Sequence, residues 1–111
     1  MNSIPIVQGQ LDAYNNQNLD LFLTFFAKNI EVYNFPNQLV YKGIHNMRDY
    51  YKNAWELNPN QKAIVKERMY LDNTVIDKEF VIGRANGIEV NVIAIYTIEN
   101  NTIVKVFFIR Q

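Results

Sequence analysis

Three short polar pairs divide the second half of the chain into runs of β-forming residues. Asp72-Asn73, Asn86-Gly87 and Asn100-Asn101 each have the chemistry of a tight turn, because Asn, Asp and Gly tolerate the left-handed backbone that such turns use. Successive strands joined by tight turns pair as an antiparallel meander. The sequence therefore predicts four long strands, at about Ala63 to Leu71, Val75 to Arg84, Ile88 to Ile98 and Ile103 to Arg110.

The first half of the chain shows helical periodicity instead. Ser3 and Pro5 are typical of a helix start, and apolar residues recur at helical spacing until the helix ends near Asn15-Asn16. The chain as a whole predicts an α+β fold in one domain, residues 1–111, with three helices packed on a sheet. The other predicted elements are a short helix that Asn18 or Asp20 opens and that extends through Leu21, Phe22, Phe25 and Phe26, strands at Ile30 to Asn34 and Leu39 to Tyr41, and a third helix from His45 to Leu57.

Composition excludes several classes of function. Eleven basic residues balance eleven acidic ones, which argues against nucleic acid or an anionic membrane as a partner. No apolar run approaches the roughly 20 residues of a membrane span, and the start lacks the pattern of a signal peptide. We therefore expect a cytoplasmic protein without a membrane partner. The absence of cysteine and the single histidine argue against a metal site.

The last two predicted strands are apolar on both faces. Val92 and Ala94 alternate with Ile93 and Ile95, so each face of the sheet needs a cover. The three helices can cover one face only. We expect a homodimer that packs through the outer face of the sheet.

Two carboxylates, Asp77 and Glu79, interrupt the otherwise apolar strand that begins at Val75. Residues two apart in a strand point to the same face, so the two acids project side by side. Facing inward, they need a partner or a raised pKa, and that makes a candidate site.

The alternative register reverses the faces. A slip of one residue at the Asn86-Gly87 hairpin would place Asp77 and Glu79 outside, where Lys66 or Arg68 could pair with them across the sheet. The apolar count of the strand favours this second register. Both registers are open at this point.

The order of the elements and several local patterns point to a known family. Leu11-Asp12-Ala13-Tyr14-Asn15, Gly43 before Met47-Arg48-Asp49-Tyr50-Tyr51, and Ile103-Val104-Lys105-Val106-Phe107-Phe108 resemble the NTF2-like superfamily, and more narrowly its small SnoaL-like proteins, often labelled steroid delta-isomerase-like. The resemblance implies a cone in which three helices pack on a curved mixed or antiparallel sheet around an internal pocket. It also implies a hydrophobic or polyketide-like small-molecule ligand, no cofactor, and dimerisation through the sheet.

Ketosteroid isomerase, which gives that label, uses a carboxylate base, a tyrosine and a protonated aspartic acid. By the resemblance these roles fall at Asn34, Gln10 and Ala94 respectively. Asn34 cannot accept a proton near neutral pH, and Ala94 cannot donate a hydrogen bond. The resemblance therefore predicts that this constellation is absent, and that Asp77 or Glu79 would have to supply the catalytic carboxylate. It also implies that Asp77 and Glu79 face the pocket and that Arg110 points inward from the last strand, so that these residues, with Arg68, would form a polar site there.

The candidate ligand-binding residues are mostly aromatic side chains with a polar tip. Such side chains can pack against a ligand and orient it, although each can equally be ordinary core. His45 is interpreted as a surface residue at a helix start. The candidates are Tyr14, Tyr33, Asn34, Tyr51, Trp55, Tyr96, Phe108 and Arg110.

Two functions follow from these patterns. The first is a small cofactor-free enzyme, isomerase-like, in which a pocket carboxylate acts as acid or base. The second is a non-catalytic ligand-binding or dimerisation module, which the missing isomerase residues favour slightly. Burial and a raised pKa of Asp77 or Glu79 would favour the enzyme.

Overall fold

Three helices lie on the inner face of a six-stranded sheet in the computed structural model, which describes residues 3–111. The predicted α+β architecture is confirmed. The elements are α1 (Ile4–Asn15), α2 (Leu19–Leu23), β1 (Phe26–Asn34), β2 (Gln38–Lys42), α3 (Ile44–Leu57), β3 (Lys62–Leu71), β4 (Thr74–Ile82), β5 (Val90–Glu99) and β6 (Thr102–Arg110).

The sheet is mixed, curved and not closed, with the strand order β2-β1-β6-β5-β4-β3. The predicted antiparallel meander covers β3 to β6, whereas β1 pairs with β6 in parallel. Register shifts within β1, within β3 and between β5 and β6 mark bulges, which bend a sheet. At the turns, Asp72, Gly87, Asn100 and Asn101 all have positive φ, as their turn chemistry predicts.

The boundaries in the first half differ from the prediction. α2 ends at Leu23 and does not reach Phe25 or Phe26, because the backbone there joins the sheet: the Phe25 carbonyl accepts a hydrogen bond from Ile103 N–H at 2.9 Å. β1 therefore begins at Phe26 rather than Ile30. Pairing with a distant strand overrides the local helical pattern.

The predicted caps fare differently from each other. Asn18 caps α2, with its side-chain oxygen accepting from Leu21 N–H at 3.3 Å. Ser3 lies at the N-cap of α1, but its hydroxyl makes no capping hydrogen bond.

One strand boundary also differs from the prediction. β5 begins at Val90 rather than Ile88.

The core lies between the helices and the inner face of the sheet. Asn15, at the end of α1, donates to the Ala63 carbonyl at 2.9 Å and accepts from the Ala63 N–H at 2.8 Å. This two-way contact holds α1 over β3. The largest fully buried apolar side chains are Phe22, Ile30, Met47, Ile98 and Ile103.

The outer face of the sheet carries apolar side chains that no helix or strand of the described residues covers. Ile93, Ile95 and Phe107 lie there and are half-buried among their neighbours. Within residues 3–111, none of the helices has the length and hydropathy needed to cross a membrane.

Candidate active site

A cavity of about 160 Å³ opens between the helices and the inner face of the sheet. Most of its wall is apolar or aromatic, with side chains from α1, α3 and all strands of the sheet except β2. Its charged residues are Glu79, Arg84 and Arg110. A concave apolar site with few polar groups is the usual form of a small-molecule site.

Asp77 and Glu79 both point into the interior. Antiparallel pairing sets Asp77 opposite Ala94 and Glu79 opposite Val92, and these four side chains share the inner face. Asp77 is 0% and Glu79 6% exposed. The inward register therefore holds, although the apolar count favoured the other.

Asp77 is neutralised by an arginine on the neighbouring strand. Arg68 lies directly opposite on β3, and its Nε and Nη2 donate to the two carboxylate oxygens at 2.6 and 2.9 Å. Arg68 Nη1 also donates to Gln8 Oε1 on α1 at 2.8 Å. Such a fork-to-fork pair is a strong charge-assisted contact. It lies beside the cavity, not in its wall.

Glu79 has no cation in direct contact. Its Oε2 accepts a hydrogen bond from the Tyr96 hydroxyl at 3.2 Å, and that hydroxyl accepts from Gln10 Nε2 at 3.3 Å. Burial, followed by the charge of Asp77, raises the pKa of Glu79 to about 7, against the opposing effects of Tyr96 and Arg68. Near neutral pH the Glu79 carboxyl can both accept and donate a proton.

Tyr14 brings a hydroxyl to the same cavity. Gln61 donates its amide N–H to the Tyr14 oxygen, which leaves the phenolic hydrogen free to donate to a ligand. Burial raises the pKa of Tyr14 to about 12, so that it stays a neutral donor. The ring is held in place by edge contacts with Trp55 at 5.6 Å and Tyr51 at 6.0 Å between ring centroids.

Two arginines complete the polar part of the wall. Arg110 Nη1 donates to Asn34 Oδ1 at 2.6 Å, and its guanidinium carbon lies 4.5 Å from the centre of the Phe108 ring. Arg84 follows Gly83, where β4 has ended. Gly83 has a φ of +76°, and a Cβ there would collide with the Asn60 carbonyl oxygen, so this turn requires glycine.

Comparison with known proteins identifies the family. Residues 7–106 match the SnoaL-like domain family. The chain belongs to the SnoaL-like family. Its fold is accordingly that of the NTF2-like superfamily, as the sequence resemblance predicted.

Solved structures of proteins from several organisms share the fold of this SnoaL-like chain. An uncharacterised cystatin-fold protein from Novosphingobium aromaticivorans superposes with a TM-score of 0.91 at 22% identity, covering 99% of both chains. A proposed polyketide cyclase from Sinorhizobium meliloti has a TM-score of 0.81 at 19% identity, covering 97% of this chain and 99% of its own. A proposed ketosteroid isomerase from Kribbella flavida has a TM-score of 0.83 at 7% identity, covering 98% and 77%. No curated protein matches the chain.

Several predicted ligand-binding residues of this SnoaL-like domain do line the cavity. They are Tyr14, Tyr51, Tyr96, Phe108 and Arg110. All five lie in a regular helix or strand, on the side that faces the cavity.

Other predicted site residues lie elsewhere. Tyr33 was predicted to bind the ligand, but it does not line the cavity. Its neighbour Val32 is buried on the inner face, so the Tyr33 side chain points to the outer face. There it stacks on Phe107 at 5.0 Å between ring centroids, and its hydroxyl donates to Glu31. Trp55 is buried in the core behind the cavity wall. Asn34 does not line the cavity, but it accepts a hydrogen bond from Arg110, which does.

The structure also adds residues that sequence reasoning missed. Gln61 and Arg84 come from loops, where no periodicity signals a direction. Gln10 was considered only as a replaced tyrosine, yet it is buried and holds the hydroxyl of Tyr96. His45 is exposed at the start of α3, as expected of a surface residue.

Proposed function

We propose that this SnoaL-like protein is a cofactor-independent acid–base catalyst, isomerase-like, that moves a proton on a small and mainly hydrophobic carbonyl compound. Glu79 is the group that takes up and returns the proton. The observation that carries this proposal is a buried carboxyl group in a cavity wall, with a pKa near 7. General acid–base catalysis is most efficient when the pKa of the group lies near the working pH.

The surrounding side chains support a simple proton transfer. Ionised Glu79 would remove a proton from the carbon next to the carbonyl group, and the electron pair would pass into an enolate. The Tyr14 hydroxyl, with its hydrogen unused by protein acceptors, is suited to donate to the enolate oxygen. The protonated Glu79 would then return the proton at another carbon, which moves a double bond and restores the carboxylate.

The reaction proposed here does not use the ketosteroid isomerase residues. The three corresponding positions hold Gln10, Asn34 and Ala94, and Ala94 is packed opposite Asp77. The cavity is also smaller than the roughly 300–1,000 Å³ usual for sites of drug-sized ligands. This small volume favours a substrate smaller than a steroid. The likeness to a proposed SnoaL-like polyketide cyclase of Jannaschia, 13% identical, supports a hydrophobic or polyketide-like substrate in general terms only.

A single-ring enone tests this function directly. Conversion of 3-cyclohexen-1-one to the conjugated 2-cyclohexen-1-one is followed by ultraviolet absorbance, with and without protein. We expect acceleration over buffer that rises with pH through about pH 7, because ionised Glu79 is the base. Glu79→Gln should lower the rate at least ~100-fold. Glu99→Gln, an exposed acid at the end of β5, is the matched control and should leave the rate unchanged. No acceleration by wild type, or equal rates for wild type and Glu79→Gln, would refute the proposal.

The absence of the isomerase residues supports a second candidate, a ligand-binding module without catalysis. In that case small cyclic ketones would bind in the cavity and shift amide resonances of α1 and β4, but the enone would not react. The rate measurement separates the two.

We also propose a homodimer through the outer face of the sheet. The uncovered apolar side chains Ile93, Ile95 and Phe107 support it. Light scattering coupled to size exclusion should give twice the 13.1 kDa chain mass. Ile95→Lys should halve that mass; a monomeric wild type at all concentrations tested would contradict this proposal.

A further inference from the structure

The cavity has more positive than negative charge in its wall. Among residues 3–111 its only carboxylate is Glu79, which burial and Asp77 hold partly protonated near neutral pH. Against it stand two guanidinium groups, Arg84 and Arg110, both permanently charged. The remaining buried ion pair, Asp77 with Arg68, is self-contained. The cavity therefore attracts an anion.

Arg84 lacks a partner within the described part of the chain, residues 3–111. Its side chain makes no ion pair or hydrogen bond there, and its Nε is buried without an acceptor. Arg84 projects from the chain directly after the turn at Gly83, which only glycine can adopt. A buried N–H without an acceptor costs free energy, which an oxygen of a ligand would recover.

Arg110 is held in one orientation but remains unneutralised. Asn34 takes one of its N–H groups, and the Phe108 ring supports the guanidinium from below. Neither partner carries a charge. An arginine oriented in this way keeps further donors for a planar, two-oxygen acceptor.

The volume limits the rest of the ligand. An apolar cavity of about 150 Å³ holds a single benzene ring, and this cavity is about 160 Å³. The apolar wall formed by residues such as Val92 and Phe108 suits such a ring. A carboxylate adds less bulk than a phosphate monoester and matches the guanidinium fork.

We propose that the cavity binds a small single-ring carboxylic acid, with its carboxylate between Arg84 and Arg110 and its ring directed toward Glu79. This inference rests on the proposed function and narrows its substrate class to cyclic keto acids. The arginines set which molecules enter, and Glu79 acts on the ring.

Binding of simple probes tests this assignment. Benzoate, benzamide and phenyl phosphate are titrated into the wild-type protein at pH 7 and fixed ionic strength, and the dissociation constants are measured by calorimetry or amide chemical shifts. Benzoate should bind at least ~10-fold more tightly than neutral benzamide, since one charge-assisted contact of this kind accounts for that ratio. Equal binding of the two, no binding of either, or a preference for phenyl phosphate would overturn the carboxylate assignment.

Variants locate the anion site. Arg84→Met and Arg110→Met should each weaken benzoate at least ~10-fold and leave benzamide unchanged, since methionine keeps an apolar stem. Arg84→Lys retains the charge but loses the fork, and should give an intermediate loss. Arg48→Met, on the exposed side of α3 and paired with Asp20, is the control and should bind as wild type does. Unchanged benzoate affinity in folded Arg84 variants, as judged by their unfolding curves, would refute the proposal.

The same probes keep the two proposals distinguishable. Glu79→Gln should retain benzoate binding while it loses enone isomerisation. If the wild type isomerises the enone but binds benzoate no more tightly than benzamide, only the proposed anion site is refuted. Benzoate binding without isomerisation defeats only the proposed catalysis.

Discussion

Two neighbouring positions on one strand, Asp77 and Glu79, carry the same chemical group into the same interior with different results. The Asp77 carboxylate meets the two-pronged guanidinium of Arg68 and forms a closed ion pair. The Glu79 carboxyl meets the hydroxyl of Tyr96 and the open cavity. Burial is nearly equal at both positions, so the partner determines the difference.

The comparison shows how a fold makes one carboxylate structural and the other chemically responsive. An arginine opposite Asp77 stabilises its charge, which in turn adds to the cost of ionising Glu79. The ion pair thus acts on the cavity without touching a ligand. Each prediction below removes one member of this arrangement.

The largest effect is expected from Asp77→Asn. It leaves the guanidinium of Arg68, which is mostly buried, without its counter-charge, and breaking a buried pair typically costs about 3–5 kcal/mol. Urea denaturation should show this loss in the free energy of unfolding. Asp20→Asn, which breaks the exposed pair with Arg48, is the control and should cost less than about 1 kcal/mol. Similar losses of unfolding free energy in both variants would mean that the buried pair of Asp77 with Arg68 contributes no more to stability than an exposed pair.

Glu79→Gln should have the next largest effect, with the opposite sign. The pKa of Glu79 rises from 4.5 in a free chain to about 7 in the fold, so folding favours its protonated form. That stabilisation is complete below about pH 4.5 and is lost as the pH rises through 7. The glutamine variant should therefore match wild type near pH 4 and exceed it by about 3 kcal/mol at pH 8. A difference that does not change with pH would show that Glu79 titrates normally.

Tyr96→Phe should have the smallest effect. It removes the hydroxyl that donates to Glu79 and accepts from Gln10, at a cost of about 1 kcal/mol. Because this hydrogen bond lowers the pKa of Glu79, its loss should raise that pKa further. The carboxyl carbon resonance of Glu79 in a pH titration by NMR measures it directly. A midpoint at or below that of wild type would exclude the hydrogen bond as a contributor.

Much of the fold was predictable because it depends on local patterns. The turn pairs at Asp72-Asn73, Asn86-Gly87 and Asn100-Asn101 separate the strands of the meander as expected. The helix predicted from His45 to Leu57 forms as α3, from Ile44. The prediction failed at Phe25 and Phe26, where hydrogen bonds to β6 determine the backbone.

The candidate site was predictable only in part. Tyr14 and Tyr96 were named because they are aromatic residues with a polar tip, and both line the cavity from regular elements, α1 and β5. Arg84 and Gln61 were not, because loop residues have no period. Tyr33 was also assigned to the pocket on its residue type, but β1 directs its side chain to the outer face of the sheet, where it stacks on Phe107.

For the two acids, the sequence by itself determined that they share one face, since side chains in a strand alternate. It did not determine which face, and the apolar count indicated the wrong one. Only the tertiary structure decided this, because Arg68 and Tyr96 come from neighbouring strands and make burial of both carboxyl groups tolerable. The sequence of a strand shows which side chains share a face. The free-energy cost of burying a charge on that face depends on partners that are distant in the chain.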